Sequence, residues 1–72
     1  MSGAETTSIT LNGDPYPLGG DVALLALLER LKMRPNRVAV EINREIVPKA
    51  KFSDTVIRAG DSVEIINFVG GG

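Results

Sequence analysis

Apolar and polar residues alternate in three stretches of the chain and recur at helical spacing in a fourth. Near the start, Ile9 and Leu11 fall on one side and Ser8 and Thr10 on the other. Val38, Val40 and Ile42 then alternate with Ala39, Glu41 and Asn43, and Val63 and Ile65 alternate with Glu64, Ile66 and Phe68. A period of two is that of a strand with one buried face, so these stretches predict three strands. Leu24, Leu27, Leu28 and Leu31 stand at i, i+3, i+4 and i+7, with Glu29, Arg30 and Lys32 off the stripe, which predicts one amphipathic helix.

The punctuation between these stretches orders them. Asn12-Gly13 is a hairpin signal into a short second strand, which Pro15 and Pro17 confine to a sheet edge because neither carries an N–H. Leu18 then returns to the core. Gly19-Gly20 breaks the chain; it lacks the Lys and Ser or Thr of a phosphate loop, and Asp21 is expected to N-cap a helix starting at Val22. The helix must stop by Arg34, since Pro35 disfavours helical geometry in the residue before it. Asn43-Arg44 is expected to turn the chain into a short strand at Ile46-Val47, with Pro48 at an edge. Residues 49–55 predict an irregular crossing with one short helical turn, with Phe52, Val56 and Ile57 closing the end of the core. Ala59-Gly60-Asp61 turns into the last strand.

The order strand, strand, helix, strand, short strand, strand gives an α+β chain whose one helix covers one face of a small mixed sheet, a ubiquitin-like β-grasp pattern. The last strand is then expected in the middle of the sheet beside the first. Residues 1–72 are expected to form one domain, with residues 1–6 as a loose leader.

Composition narrows the chemistry. Eight basic and nine acidic residues nearly cancel, so the long-range attraction that nucleic acid or an anionic membrane requires is missing, and a protein partner is expected instead. Lys49, Lys51 and Arg58 form a loose basic group, of the kind that a solvated surface carries or that pairs with an acidic partner, and the solvated surface is the commoner case. The longest apolar run, residues 22–28, is too short to span a bilayer and no charged leader precedes it, so a cytoplasmic location is expected. The absence of Cys and His removes disulfides, thiolates and the commonest transition-metal ligand, so no metal is expected.

What remains is the ending. The last strand runs into Gly70, Gly71 and Gly72, with no polar linker between. Glycines at a chain end are often inert, but here they extend an anchored strand, and at about 3.3–3.6 Å per residue they carry the terminal carboxylate roughly 10 Å beyond the sheet. A stalk without Cβ atoms passes a narrow channel, and the carboxylate on Gly72 is ionised at neutral pH. It is the candidate reacting group, with Gly70 and Gly71 as the channel-threading stalk. The alternation in the same strand puts Ile66 and Phe68 on the face opposite the helix, at the base of the stalk, where they are the candidate partner interface.

These residues resemble one family, the sulfur carrier proteins of thiamine biosynthesis, ThiS. The resemblance covers residues 8–72. It is carried by Ile9-Thr10-Leu11-Asn12-Gly13, by the leucines of the helix, by Val38-Ala39-Val40-Glu41-Ile42-Asn43 with Glu45-Ile46-Val47-Pro48, and by Gly60-Asp61-x-Val63-Glu64-Ile65 ending in Val69-Gly70-Gly71-Gly72. It implies a protein cosubstrate that is not itself an enzyme and binds no cofactor. An E1-like adenylyltransferase would use ATP to adenylate Gly72. A cysteine desulfurase or other sulfur donor would convert the adenylate to a thiocarboxylate, and thiazole synthase would take the sulfur into the thiazole ring. The small subunit of molybdopterin synthase is the nearest alternative, although Phe68-Val69 stands where that family tends to have proline; a ubiquitin-like protein modifier is another. Arg44 departs from the family, which usually has Gly in that turn, and must either take positive φ or open the turn into another geometry.

Overall fold

The computed structural model describes residues 8–68. Strand β1, Ser8–Leu11, turns through Asn12 and Gly13 into β2, Asp14–Pro17, and the two pair antiparallel from Ser8 opposite Pro17 to Leu11 opposite Asp14. A two-residue strand β3, Val22–Ala23, leads directly into the helix α1, Leu24–Arg30. After a short 3₁₀ turn at Pro35–Arg37 come β4, Val38–Ile42, and β5, Glu45–Ile46. A second 3₁₀ segment, Lys49–Asp54, precedes β6, Val56–Ile57, and β7, Ser62–Asn67. Five strands form one sheet in the order β2-β1-β7-β4-β5, and β3 and β6 form a separate ribbon. This is the mixed sheet and single helix of a β-grasp, with the last strand in the centre, parallel to β1 and antiparallel to β4.

The core follows the periodicities. Leu24, Leu27 and Leu28 are fully buried against the inner sheet residues Ile9, Val38, Val40, Val63 and Ile65, while Leu18, Phe52 and Ile57 close its ends. Leu31 and Ile42, the last members of their stripes, are only partly buried because each sits where its element ends.

Three local expectations are corrected. Asp21 does not cap a helix at Val22, because the backbone of Val22 and Ala23 is committed to a ladder opposite Ile57 and Val56. The helix begins at Leu24, whose N–H donates to the carbonyl of Thr55 at 2.9 Å, and no side chain caps it. Asp21 instead lies 3.9 Å from Arg58, in a pair so exposed that it contributes little. The helix stops before Arg34, as Pro35 requires, and closes after Arg30. Lys32 takes the left-handed conformation (φ 60°), and the N–H groups of Lys32 and Met33 donate to the carbonyls of Glu29 and Leu28, a Schellman closure with lysine where glycine is usual. Val56 does not plug the core: it is 44% exposed, since of the two residues in β6 only Ile57 faces inward. The short strand is Glu45–Ile46, one residue earlier than expected, although the Val47 N–H still donates to the Val40 carbonyl.

The two hairpin asparagines hold the central strand. Asn12 donates its N–H to the Val63 carbonyl at 2.8 Å, and its side-chain Oδ1 accepts the Ile65 N–H at 2.8 Å, which extends the β1–β7 ladder beyond the last paired residue of β1. Asn43 donates its N–H to the Ser62 carbonyl at 2.7 Å and accepts the Ser62 N–H on Oδ1 at 2.9 Å. Its Nδ2 donates to Asp61 Oδ1, whose other oxygen accepts the Arg58 N–H. At the far end, the Phe68 N–H donates to the Arg37 carbonyl at 2.8 Å. The strand is therefore tied at its entrance by side chains from both hairpins and at its exit by the backbone of the turn before β4.

The turn at Asn43 and Arg44 has φ of 53° and 72°, the paired positive values of a type I′ hairpin, so Arg44 takes positive φ, where glycine is usual, and does not open the turn. Arg44→Gly is expected to relieve that conformation and stabilise the protein by about 1 kcal/mol, a rise of roughly 4–8 °C in thermal midpoint for a domain of this size. An unchanged or lower midpoint would show that the arginine is unstrained. Asn12→Gly keeps a residue suited to φ 51° but removes the acceptor from the Ile65 N–H. It is expected to cost about 1–3 kcal/mol in denaturant titration. A midpoint equal to wild type would show that water replaces the asparagine without loss.

Candidate functional site

The site is built on β7. From Ser62 to Ile66 its residues alternate, Val63 and Ile65 inward and Ser62, Glu64 and Ile66 outward, and α1 lies on the inner side alone. Ile66 is 61% exposed and Phe68, one step past the strand on the same side, is 54% exposed. Both candidate interface residues thus stand on the uncovered face, and the hydrogen bond from Phe68 to Arg37 holds the backbone there. The candidate tail residues Gly70, Gly71 and Gly72 lie outside the described residues. The chain that leads to them is held through Phe68.

A third apolar residue belongs to this face. Ile46 is 73% exposed and sits opposite Glu41, which in turn sits opposite Glu64, so one row crosses β5, β4 and β7. Partners across a ladder share a face. Ile46, Glu41, Glu64, Ala39 and Ile66 therefore face the same way, and together with Val40 they border a shallow groove of about 160 Å³. Sequence reasoning placed Ile46 in a strand but missed it as a surface residue. The signal was present, since a two-residue turn at Asn43-Arg44 pairs Ile42 with Glu45 and hence Glu41 with Ile46. On the β1 side the same face is polar, with Thr10 opposite Ser62.

The rest of the described surface holds little other chemistry. Among the described residues no three metal-ligating side chains gather, and no helix is long and apolar enough to cross a membrane. Lys49, Lys51 and Arg58 are exposed. Lys49 borders a second groove with Leu25, Pro35, Asn36, Phe52 and Ser53.

Comparison with known proteins gives this constellation a family. The ThiS family model matches residues 9–72. The sulfur carrier protein ThiS of Thermus thermophilus is 36% identical over 64 residues, covering 89% of this chain and 98% of that protein. The crystal structure of thiamine biosynthesis protein ThiS from Geobacter metallireducens superposes with a TM-score of 0.76 at 35% identity, covering 90% of this chain and 99% of that one. Thiazole synthase of Paramagnetospirillum magneticum is 38% identical over 64 residues, a match that covers 89% of this chain but only 20% of that protein. A family match from Ile9 to Gly72, joined to a β-grasp whose central strand leads to the glycines, shows that this chain belongs to the ThiS family, the sulfur carrier proteins of thiamine biosynthesis.

Proposed function

We propose that this protein carries sulfur on the carboxylate of Gly72, as a cosubstrate and not a catalyst. A carboxylate is a poor acyl donor, so it must first be activated. An E1-like enzyme joins the Gly72 carboxylate to the α-phosphate of ATP and releases pyrophosphate. The terminal sulfur of a persulfide, carried by a cysteine desulfurase or another donor, attacks the acyl carbon and expels AMP, which leaves with one carboxylate oxygen; a thiol then attacks the donor-side sulfur of the acyl disulfide, is oxidised to a disulfide with the donor, and frees the sulfur on Gly72. The resulting thiocarboxylate gives its sulfur to thiazole synthase. The observation that carries this reading is the family match running through Gly72 itself. The thiazole synthase partner is supported separately, because a fifth of one such enzyme resembles nearly all of this chain.

Ile66 and Phe68 serve in this scheme as the surface on which the activating enzyme seats, next to the chain that leads into its nucleotide site. Buried aromatic and large aliphatic anchors dominate such contacts, and Ile66 and Phe68 are exposed together at the end of the strand that leads to Gly72 and are not scattered singly.

Incubation with ATP, the E1-like enzyme and a sulfur source is expected to replace one oxygen by sulfur at Gly72, read as a shift in intact mass. A protein lengthened by one residue after Gly72 must not react; sulfur gain at its new terminus would refute the assignment. Ile66→Asp and Phe68→Asp are expected to keep cooperative unfolding, because both side chains are exposed, and to slow adenylation about tenfold or more. Folded variants adenylated at the wild-type rate would place the interface elsewhere.

A further inference from the structure

Glu41 and Glu64 are directly opposite each other on β4 and β7, and both side chains lie on the uncovered face. Residues so paired have their Cβ atoms roughly 5 Å apart, a spacing at which like charges destabilise a sheet. No cation relieves them: the one ion pair among the described residues joins Arg58 to Asp21, and none of the six residues around the groove is basic. Folding gains nothing from this arrangement, since Thr or Val at either position would suit a strand better. The carboxylates are flanked by Ile46 on one side and Ile66 on the other, so any partner covering the apolar residues also covers the charges. Covered and unpaired, they would oppose binding, because each loses its water without gaining a counter-charge.

Resting on the carrier reading above, we propose that this groove receives a cationic side chain of the activating enzyme, an arginine or lysine projecting from an apolar surface, with Glu41 and Glu64 sharing its charge between Ile46 and Ile66. Arginine fits best, because its planar fork donates to two carboxylates at once while its stem lies against aliphatic carbon. The pair selects against other occupants of the face. A second copy of this chain docked symmetrically on the groove would gather four carboxylates in one patch. A nucleic acid or an anionic lipid surface would meet the same repulsion. The apolar residues thus supply contact area, and the glutamates decide which protein is admitted.

The test uses the full chain with its E1-like enzyme and compares wild type, Ile66→Asp, and the double variant Glu41→Gln, Glu64→Gln. The double variant is expected to unfold at a higher midpoint than wild type, since the repulsion is gone. It should nevertheless bind the enzyme about tenfold or more weakly by calorimetry, as when a covered charge pair loses its members. Its affinity should also lose most of the salt dependence seen for wild type. Binding equal to wild type, with the same salt dependence, would overturn the proposal while leaving the carrier function intact. A wild-type protein that is neither bound nor adenylated would overturn the carrier reading and this inference with it. A wild-type chain that sediments as a dimer, and becomes monomeric only in the Ile66→Asp variant, would assign the groove to a second copy and overturn the proposal as well.

Discussion

The structure depends on one strand being bonded along both edges. β7 sits between β1 and β4, and every other feature of the face is positioned through it. Parallel pairing with β1 is short, only Thr10 with Ser62 and Leu11 with Val63, so the strand would be weakly held on that side by backbone alone. Asn12 makes up the difference by lending a side-chain oxygen to the next free N–H. On the other side the antiparallel ladder runs the full length of β4, from Ile42 opposite Val63 to Val38 opposite Asn67, and one more bond reaches Phe68. A strand fixed this way fixes the direction in which the chain leaves the sheet.

The same arrangement explains why side chains of modest helix and turn propensity are tolerated elsewhere. Asn12, Lys32, Asn43 and Arg44 all take positive φ. Asparagine suits that region better than most residues, and each of the two asparagines uses its amide to tie β7. Lys32 and Arg44 have no such bond among the described residues, so their conformation is imposed by the closures around them: the Schellman bonds at the end of α1 and the register between β4 and β5.

Much of this was legible in the sequence because the two periodicities were clean. Ile9, Val38, Val40, Val63 and Ile65 are buried as their alternation requires, and three leucines of the helical stripe are among the most buried residues in the protein. The prolines of β2 sit on an edge strand, as their missing donors demand. What escaped was decided by tertiary pairing and not by local preference. Asp21 has the chemistry of an N-cap, but Val22 and Ala23 find strand partners far along the chain, at Ile57 and Val56, and this moves the helix start past the aspartate's reach. The side-chain bonds of Asn12 and Asn43 are invisible for the same reason, since a turn signal does not say which distant N–H the amide will meet. The stalk glycines were read from their position after the strand, and the structure bears on them only through the residues that lead to them.

Placing the exposed apolar residues on the strand that leads to the glycines has a consequence for how a carrier works. Ile66 and Phe68 are within six residues of Gly72 along the chain, so a surface that covers them stands where the stalk must pass. If Gly72 is the carrier carboxylate, the enzyme that activates it and the one that receives the sulfur both need that end of the sheet, and their footprints overlap. Two enzymes of standard interface size, about 800 Å² on each partner, do not fit together around one small sheet and a three-residue stalk. The carrier must then leave the first before it meets the second. That requirement favours contacts of moderate strength, and a face of three scattered apolar residues and two like charges meets it better than a continuous apolar patch would.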